Sequence, residues 1–282
     1  MSTSTSLTTL GSASDATRAR RRPALWAWGG RLWEPLLGIL LALVAVEIAS
    51  RSGLVNSRAL PPATDICAVL IERLGRPDLW SDIMLTLQGW VQGLIVALVV
   101  GGLLGGAAGL SETVFHLLRP IVEFMRPVPS VALIPLAILT LGSGMESKVF
   151  LAGFAATWPI LIHTMYGVRS LDPVQADVAR SFRIRRHDVV MRVLLPTAMP
   201  YIATGVRIAS AIALALTVSA ELIIGAPGIG SSLNVARASG ATDLAYAYLL
   251  VAGMLGWLLN LLFLAIERKT LSWHPIHRER AT

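Results

Sequence analysis

Six apolar runs, each about as long as a bilayer core is thick, limit this chain more than any other feature. They occupy residues 32–49, 87–110, 121–141, 149–166, 201–224 and 245–266. A helix needs ~20 residues to cross about 30 Å of hydrocarbon, and every run is near that length. With no water in the bilayer core, a spanning backbone must satisfy its own N–H and C=O groups, and a helix does so within one segment. The predicted fold class is therefore an all-α membrane protein with six transmembrane helices. At 54% hydrophobic and 15% charged residues, with a mean hydropathy of +0.65, the composition is far from that of a soluble domain of this length.

The basic residues give the runs a direction. With the amino terminus inside, the internal segments hold 17 Lys and Arg and the external segments six, while Arg207 falls within the fifth run. That asymmetry obeys the positive-inside rule and puts both termini in the cytoplasm of a multi-pass bacterial inner-membrane protein. The formal net charge of +7 clusters at the membrane edges, which implies a lipid bilayer and no nucleic-acid partner. Residues 1–25 are rich in Ser and Thr, carry Arg18, Arg20, Arg21 and Arg22, and read as a disordered basic cytoplasmic tail. No small-residue cleavage site follows the first run, and Trp26, Trp28 and Trp33 read as an interfacial belt, so the run is a retained anchor. The first helix and an external loop then fill 26–83, with 64–74 as a surface helix. A core domain covers 84–273 and a short cytoplasmic tail 274–282. Cys67 is the single cysteine, so no intrachain disulfide and no Cys-based metal site can form.

Several residues inside the runs need a reason to be there. Gly101, Gly105 and Gly109 repeat every four residues, as do Gly102 and Gly106, and small residues on one face let helices approach closely in lipid. Pro127, Pro129 and Pro135 interrupt the third run, so that helix is bent or starts late. Glu47, Arg207 and Glu221 are ionisable residues within runs, which is costly and marks function or an interface. Glu47 is close enough to its end to reach the interface. Arg207 either snorkels to the cytoplasmic face or lines a path, and Glu221 either lines or supports a gate or packs at an interface. His163 has no metal-ligand partner at helical spacing and reads as a packing residue. No G-x-x-x-x-G-K-[ST], H-E-x-x-H or G-x-S-x-G is present, and Gly225–Gly230 reads as a turn. No catalytic residues and no cofactor bound by this chain are expected.

The longest strongly polar segment after residue 90 lies at 171–200, between two spans. Asp172 followed by Pro173 is a helix start, because the carboxylate can accept from free N–H groups and proline fits the first turn. Val174, Val178 and Phe182 recur every fourth residue and share one face. Arg180, Arg183, Arg185, Arg186 and Arg192 surround them. A second short helix, about 187–195, is expected to end against Pro196. Together these make a basic helix–turn–helix outside the membrane, shaped for another protein to grip.

This segment resembles the cytoplasmic loop of bacterial ABC importer permeases, whose pattern is E-A-A-x3-G-x9-I-x-L-P. With every spacing kept, the pattern falls on Asp177, Val178, Ala179, Arg183, Val193, Leu195 and Pro196. Arg183 in place of glycine is the departure: that position favours a positive φ, at about 1–2 kcal/mol for a residue with a Cβ. The run RPVPSVALIPLAILTLG resembles the nitrate, taurine and aliphatic-sulfonate branch of the family. The resemblance covers about residues 84–273 and includes the closing ERKTLSW.

It implies the type I ABC importer permease fold, with the loop as a cytoplasmic coupling helix made by Asp172, Val174, Asp177, Val178, Ala179, Phe182, Arg183, Leu195 and Pro196. It further implies a homodimer of permeases, two cytoplasmic ABC ATPase subunits that bind ATP-Mg, and a periplasmic or lipid-anchored substrate-binding protein. Third- and fifth-span residues would line the path, which singles out Pro129, Pro135, Arg207 and Glu221. The substrate implied is a small sulfonate, taurine or nitrate-type anion delivered by the binding protein. Two alternatives stand beside it. One is a stand-alone secondary transporter; the other is an ABC permease for a different class, such as a vitamin precursor or an aromatic acid.

Overall fold

In the computed structural model, residues 33–52, 56 and 59–271 are described, and all their regular structure is helical. The basic tail expected over 1–25, the carboxy-terminal tail over 274–282 and the end of the ERKTLSW motif lie outside the described residues. The elements run α1 (Trp33–Arg51), α2 (Ala63–Leu74), α3 (Pro77–Leu110), α4 (Glu112–Met125), a 3₁₀ turn (Ser130–Leu133) and α5 (Ile134–Leu141). They continue as α6 (Met145–Arg169), α7 (Pro173–Ser181), α8 (Arg186–Val189), a π turn (Val190–Leu194), α9 (Leu195–Ile224), α10 (Ile229–Ala238) and α11 (Thr242–Thr270). Among the described residues, α3, α6, α9 with its leading turns, and α11 are each long and apolar enough to span a bilayer, and the bent α4–α5 pair is a fifth candidate. The first predicted run coincides with the 19-residue α1.

The third run is not one helix. α4 and the segment Ser130–Leu141 meet at 86° across a four-residue break. Pro127 and Pro129 lie in that break, and Pro135 falls in the first turn of α5, where a missing N–H costs nothing. Pro120 is tolerated inside α4, a helix in which no side chain is buried. The second run begins earlier than its hydropathy suggests. Pro77 and Asp78 start α3 ten residues ahead of Leu87, because a first-turn proline and carboxylate both suit a helix N-terminus.

The core is a slab of α3, α6 and α9, joined by a cluster that includes Trp90, Leu94, Ala97, Ala152, Ile160, Ala209 and Ala213. Small residues at 89, 93, 97, 101, 105 and 109 make one face of α3, and α6 lies directly on it. A Cβ at Gly101 would stand 2.7 Å from the Thr157 carbonyl oxygen, and one at Gly105 would stand 2.5 Å from that of Leu161. The second glycine series differs: Gly102 and Gly106 face open space. Polar ties reinforce the slab, with the Trp90 indole N–H donating to the Ser210 carbonyl at 3.0 Å.

α10 was not evident from the sequence. It is short, at ten residues, and only weakly apolar overall, and it is held by burial of Ile229 against Leu79, Tyr248 and Val251. Glu47 on α1 reaches α2 instead of solvent. Its carboxylate accepts from the Thr64 N–H and hydroxyl, both at 3.1 Å, and pairs with Arg51 at 2.5 Å. That places an anion on the otherwise uncapped start of α2.

Candidate functional site

The polar segment between α6 and α9 forms the predicted turn, with one correction. Asp172 Oδ1 accepts from the Val174 N–H at 2.9 Å, so α7 begins as its residues dictate. α7 ends at Ser181 and the chain turns at Arg183, which has φ +48° and is the one non-glycine residue with a positive φ among those described. The Ile184 N–H donates five residues back to the Ala179 carbonyl at 3.0 Å, and Phe182 N–H donates to Val178 O at 3.0 Å. The 184-to-179 bond is the long closing bond of a left-handed helix cap. The departure from glycine therefore leaves the turn geometry intact and carries its cost in Arg183.

The expected end of the second helix at Pro196 is not seen. α8, the π turn and α9 run on as one rod from His187 to Ile224. The Leu195 N–H reaches back to the Val190 carbonyl, and Pro196 follows with no N–H to place; the wider π turn leaves room for its ring. The Thr197 hydroxyl donates to Val193 O at 2.7 Å on the same turn. The loop is thus one short helix and one sharp cap feeding a continuous 38-residue rod.

Its surface is sorted by side chain. Val174, Val178 and Phe182 are exposed along α7, Phe182 to 77%, and Ile184 extends the patch past the cap. Ala179 is buried at 7%, so it packs within the loop and is no part of that patch. Asp177 and Arg183 lie exposed on the same unit, Leu195 is exposed on the rod and Pro196 is half-buried.

The singled-out residues of the path separate into different places. Pro129 closes the break in the third run, and Pro135 sits in the first turn of α5. Arg207 turns to α11, with Nε 3.7 Å from Glu267 Oε2. Glu221 is fully buried at the end of the slab farthest from the 171–195 loop. It forms an ion pair with Lys148 of α6 at 2.9 Å, and both side chains are 0% exposed. Lys148 Nζ also donates to Leu85 O at 3.0 Å and Pro227 O at 2.9 Å, which uses all three of its protons. The other Glu221 oxygen accepts from Thr86 Oγ1 at 2.9 Å and the Gly230 N–H at 3.0 Å. Thr86 Oγ1 in turn accepts from the Ile229 N–H at 3.0 Å. Gly228, at φ +149°, brings the backbone so close that a Cβ would fall 2.2 Å from Glu221 Oε1.

Lys148 escaped sequence reasoning because it stands one residue before an apolar run and counts as an external loop charge. A readable signal existed: it is the one lysine between residues 1 and 268, near a run that faces a lone acid in another run.

Between the broken third run and the middle of α6 and α9 lies a cleft of about 420 Å³, lined in part by Arg126, Ser130, Trp158 and His163. Arg126 and Ile162 also line a neighbouring cleft of about 350 Å³ that extends along α4 towards Arg119 and Tyr166. A third opening, about 440 Å³ and almost wholly apolar, runs between α1 and α2 past Cys67.

Comparison with known proteins adds four findings. Residues 72–269 match the family described as binding-protein-dependent transport system inner membrane component. The chain is 33% identical over 257 residues to the taurine transport system permease protein TauC of Escherichia coli (strain K12), covering 88% of this chain and 93% of that one. It is 28% identical over 262 residues to the putative aliphatic sulfonates transport permease protein SsuC of Bacillus subtilis (strain 168), covering 92% and 93%. Its fold superposes on a chain from the crystal structure of an amino acid ABC transporter with histidines, with a TM-score of 0.56 at 15% identity over 70% of this chain and 94% of that one.

Proposed function

The chain belongs to the family of binding-protein-dependent transport system inner membrane components, and we propose that it carries a small sulfonate, taurine or nitrate-type anion across the membrane. It is the permease subunit of an ATP-driven ABC importer. ATP is hydrolysed on a partner subunit, and a substrate-binding protein belongs to the same system. The similarity to permeases named for taurine and aliphatic sulfonates supports the choice of anion.

The observation that carries the mechanism is the exposed apolar patch Val174–Val178–Phe182 on a short capped helix, fixed to a 38-residue rod. A cytoplasmic ATPase grips that patch. Force applied there passes through the Arg183 cap into α8, the π turn and α9, which run on as one helix. Two permease copies and two ATPases form the working unit. A second copy covers the side on which α5 exposes Leu136 and Leu139 and on which the clefts beside α6 open. ATP-driven closure then biases the pair between inward- and outward-facing states, as a ligand biases any two-state element. Both termini lie in the cytoplasm; the excess of Lys and Arg in the segments on that side supports this topology. Residues 84–273 act as the permease core, and α1 with α2 forms a peripheral unit.

Co-purification with the ATPase subunit tests this reading. Wild type retains the ATPase, whereas Phe182→Asp, which charges the most exposed apolar residue of the patch, loses it while remaining monodisperse in detergent. An ATPase that stays bound to Phe182→Asp refutes the docking role of the patch.

A further inference from the structure

Three buried polar atoms lack a hydrogen-bond partner among the described residues: Trp158 Nε1, Thr164 Oγ1 and Glu267 Oε2. Two have a local account. Thr164 lies against the glycine face of α3, where a Cβ at Gly105 would stand 2.9 Å from its own Cβ, and Glu267 Oε2 faces Arg207 at 3.7 Å. The Trp158 indole is different, because it lines the 420 Å³ cleft. A buried donor without an acceptor is costly and calls for an explanation.

The same cleft is lined by Arg126, Ser130 and His163, and among the described residues none of these side chains makes a hydrogen bond or ion pair. No Asp or Glu lines it; the remaining wall is apolar, from residues such as Ile162, Ile208 and Leu216. Every polar group there can donate, and one carries a fixed positive charge. Such a lining is the complement of an oxyanion. The guanidinium offers paired N–H donors to two oxygens, and the buried, unpartnered indole N–H of Trp158 is a third donor in the residues that line the cleft. The location suits a transported solute. Trp158 and His163 lie near the middle of α6, Ile208 and Leu216 near the middle of α9, and Arg126 joins this cleft to the one that runs along α4. The break in the third run is what brings Arg126 and Ser130 here: the chain turns by 86° across residues 126–129, between the end of α4 and Ser130.

We propose that Arg126 and Trp158, with Ser130 and His163, form a transient binding site for the oxyanion group of the solute, inside the permease and separate from the binding protein. This rests on the anion-importer reading above. Neither the proline positions of the third run nor Arg207 and Glu221 provides such a site, since Arg207 and Glu221 are paired elsewhere.

The test uses the assembled importer (permease, ATPase and binding protein) in proteoliposomes, with ethanesulfonate as the probe. Uptake and binding-protein-stimulated ATP hydrolysis are both measured. Arg126→Gln is expected to lower ethanesulfonate uptake about tenfold, the scale of one charge-assisted bond, with ATP hydrolysis near wild type and partial rescue in Arg126→Lys. Trp158→Phe, which keeps the ring and removes the N–H, is expected to lower uptake several-fold. Wild-type uptake in both variants overturns the site. A parallel loss of uptake and of ATP hydrolysis overturns it too, and assigns Arg126 to assembly or to a lipid phosphate. If Arg126→Gln does not assemble, Trp158→Phe decides alone by the same two readouts. Failure of the anion reading is distinguishable: wild type itself would then not import ethanesulfonate and would import a cationic or neutral solute.

Discussion

Removing the charge from Lys148 is the most informative perturbation of the slab. Lys148→Met keeps the length and volume of the side chain and deletes three hydrogen bonds, to Glu221, Leu85 O and Pro227 O. At 2.9 Å and an effective dielectric of about 20, the lost Coulomb attraction is about 6 kcal/mol. The desolvation of the pair offsets part of that in the wild type, so the net cost is set by the carboxylate left behind. Breaking a buried pair by removing one partner costs about 3–5 kcal/mol. Glu221→Gln is expected to cost less, about 2 kcal/mol, because Lys148 keeps two carbonyl acceptors. The double variant Lys148→Met/Glu221→Gln should recover much of the loss. There the amide oxygen can accept from Thr86 and Gly230, and its NH₂ can reach the carbonyls that Lys148 released. The assay is the loss of the monodisperse peak with temperature in one detergent, read as a ranking because membrane-protein unfolding is often irreversible. The expected order of stability is wild type, then double, then Lys148→Met, with Lys148→Met lower than wild type by about 10 °C. A double variant no more stable than Lys148→Met refutes the coupling, and with it the view that this ion pair ties α3, α6 and α9 to the turn before α10.

Two further outcomes follow from the glycine face and the loop cap. Gly105→Leu places a side chain where even a Cβ meets Leu161 O at 2.5 Å, so α3 and α6 must separate; it should abolish recovery of folded protein, while Gly106→Leu, facing open space, should be recovered at wild-type yield. Arg183→Gly relieves a left-handed Arg and should stabilise the loop by about 1 kcal/mol, read as slower hydrogen exchange at the Ile184 amide, whose bond to Ala179 closes the cap. Faster exchange there would mean that the Arg183 side chain, and not its backbone, holds the turn.

The elements legible in advance are those governed by local chemistry. Apolar length placed the helices, Asp172–Pro173 started α7, and the spacing from Asp177 to Pro196 identified the loop and its family. The cap at Arg183 could be anticipated because one backbone position demanded a positive φ whatever residue occupied it. The Gly101–Gly105–Gly109 face was readable as a close-approach surface. Which of the two glycine series met a neighbour was not readable, because both have the same spacing and only the rotation of α3 against α6 separates them.

Other features exist only through contacts distant in sequence. Lys148 and Glu221 are 73 residues apart, and Thr86 is 135 residues from Glu221. No local pattern announces that an acid and a base from different spans share one dry pocket, and burial alone turned an apparent loop charge into a core residue. The rod through Pro196 was misjudged for a related reason: a proline stops a helix by default, and the π turn that accommodates it is a property of the folded segment. The sequence by itself determined a helical membrane protein of a transport family, with its polar loop between α6 and α9 in place, because hydropathy, capping and spacing act over a few residues. Tertiary structure alone decided which charges are paired, which glycines bear a helix and which polar residues line a common cleft, because those depend on where the apolar runs come to rest against one another.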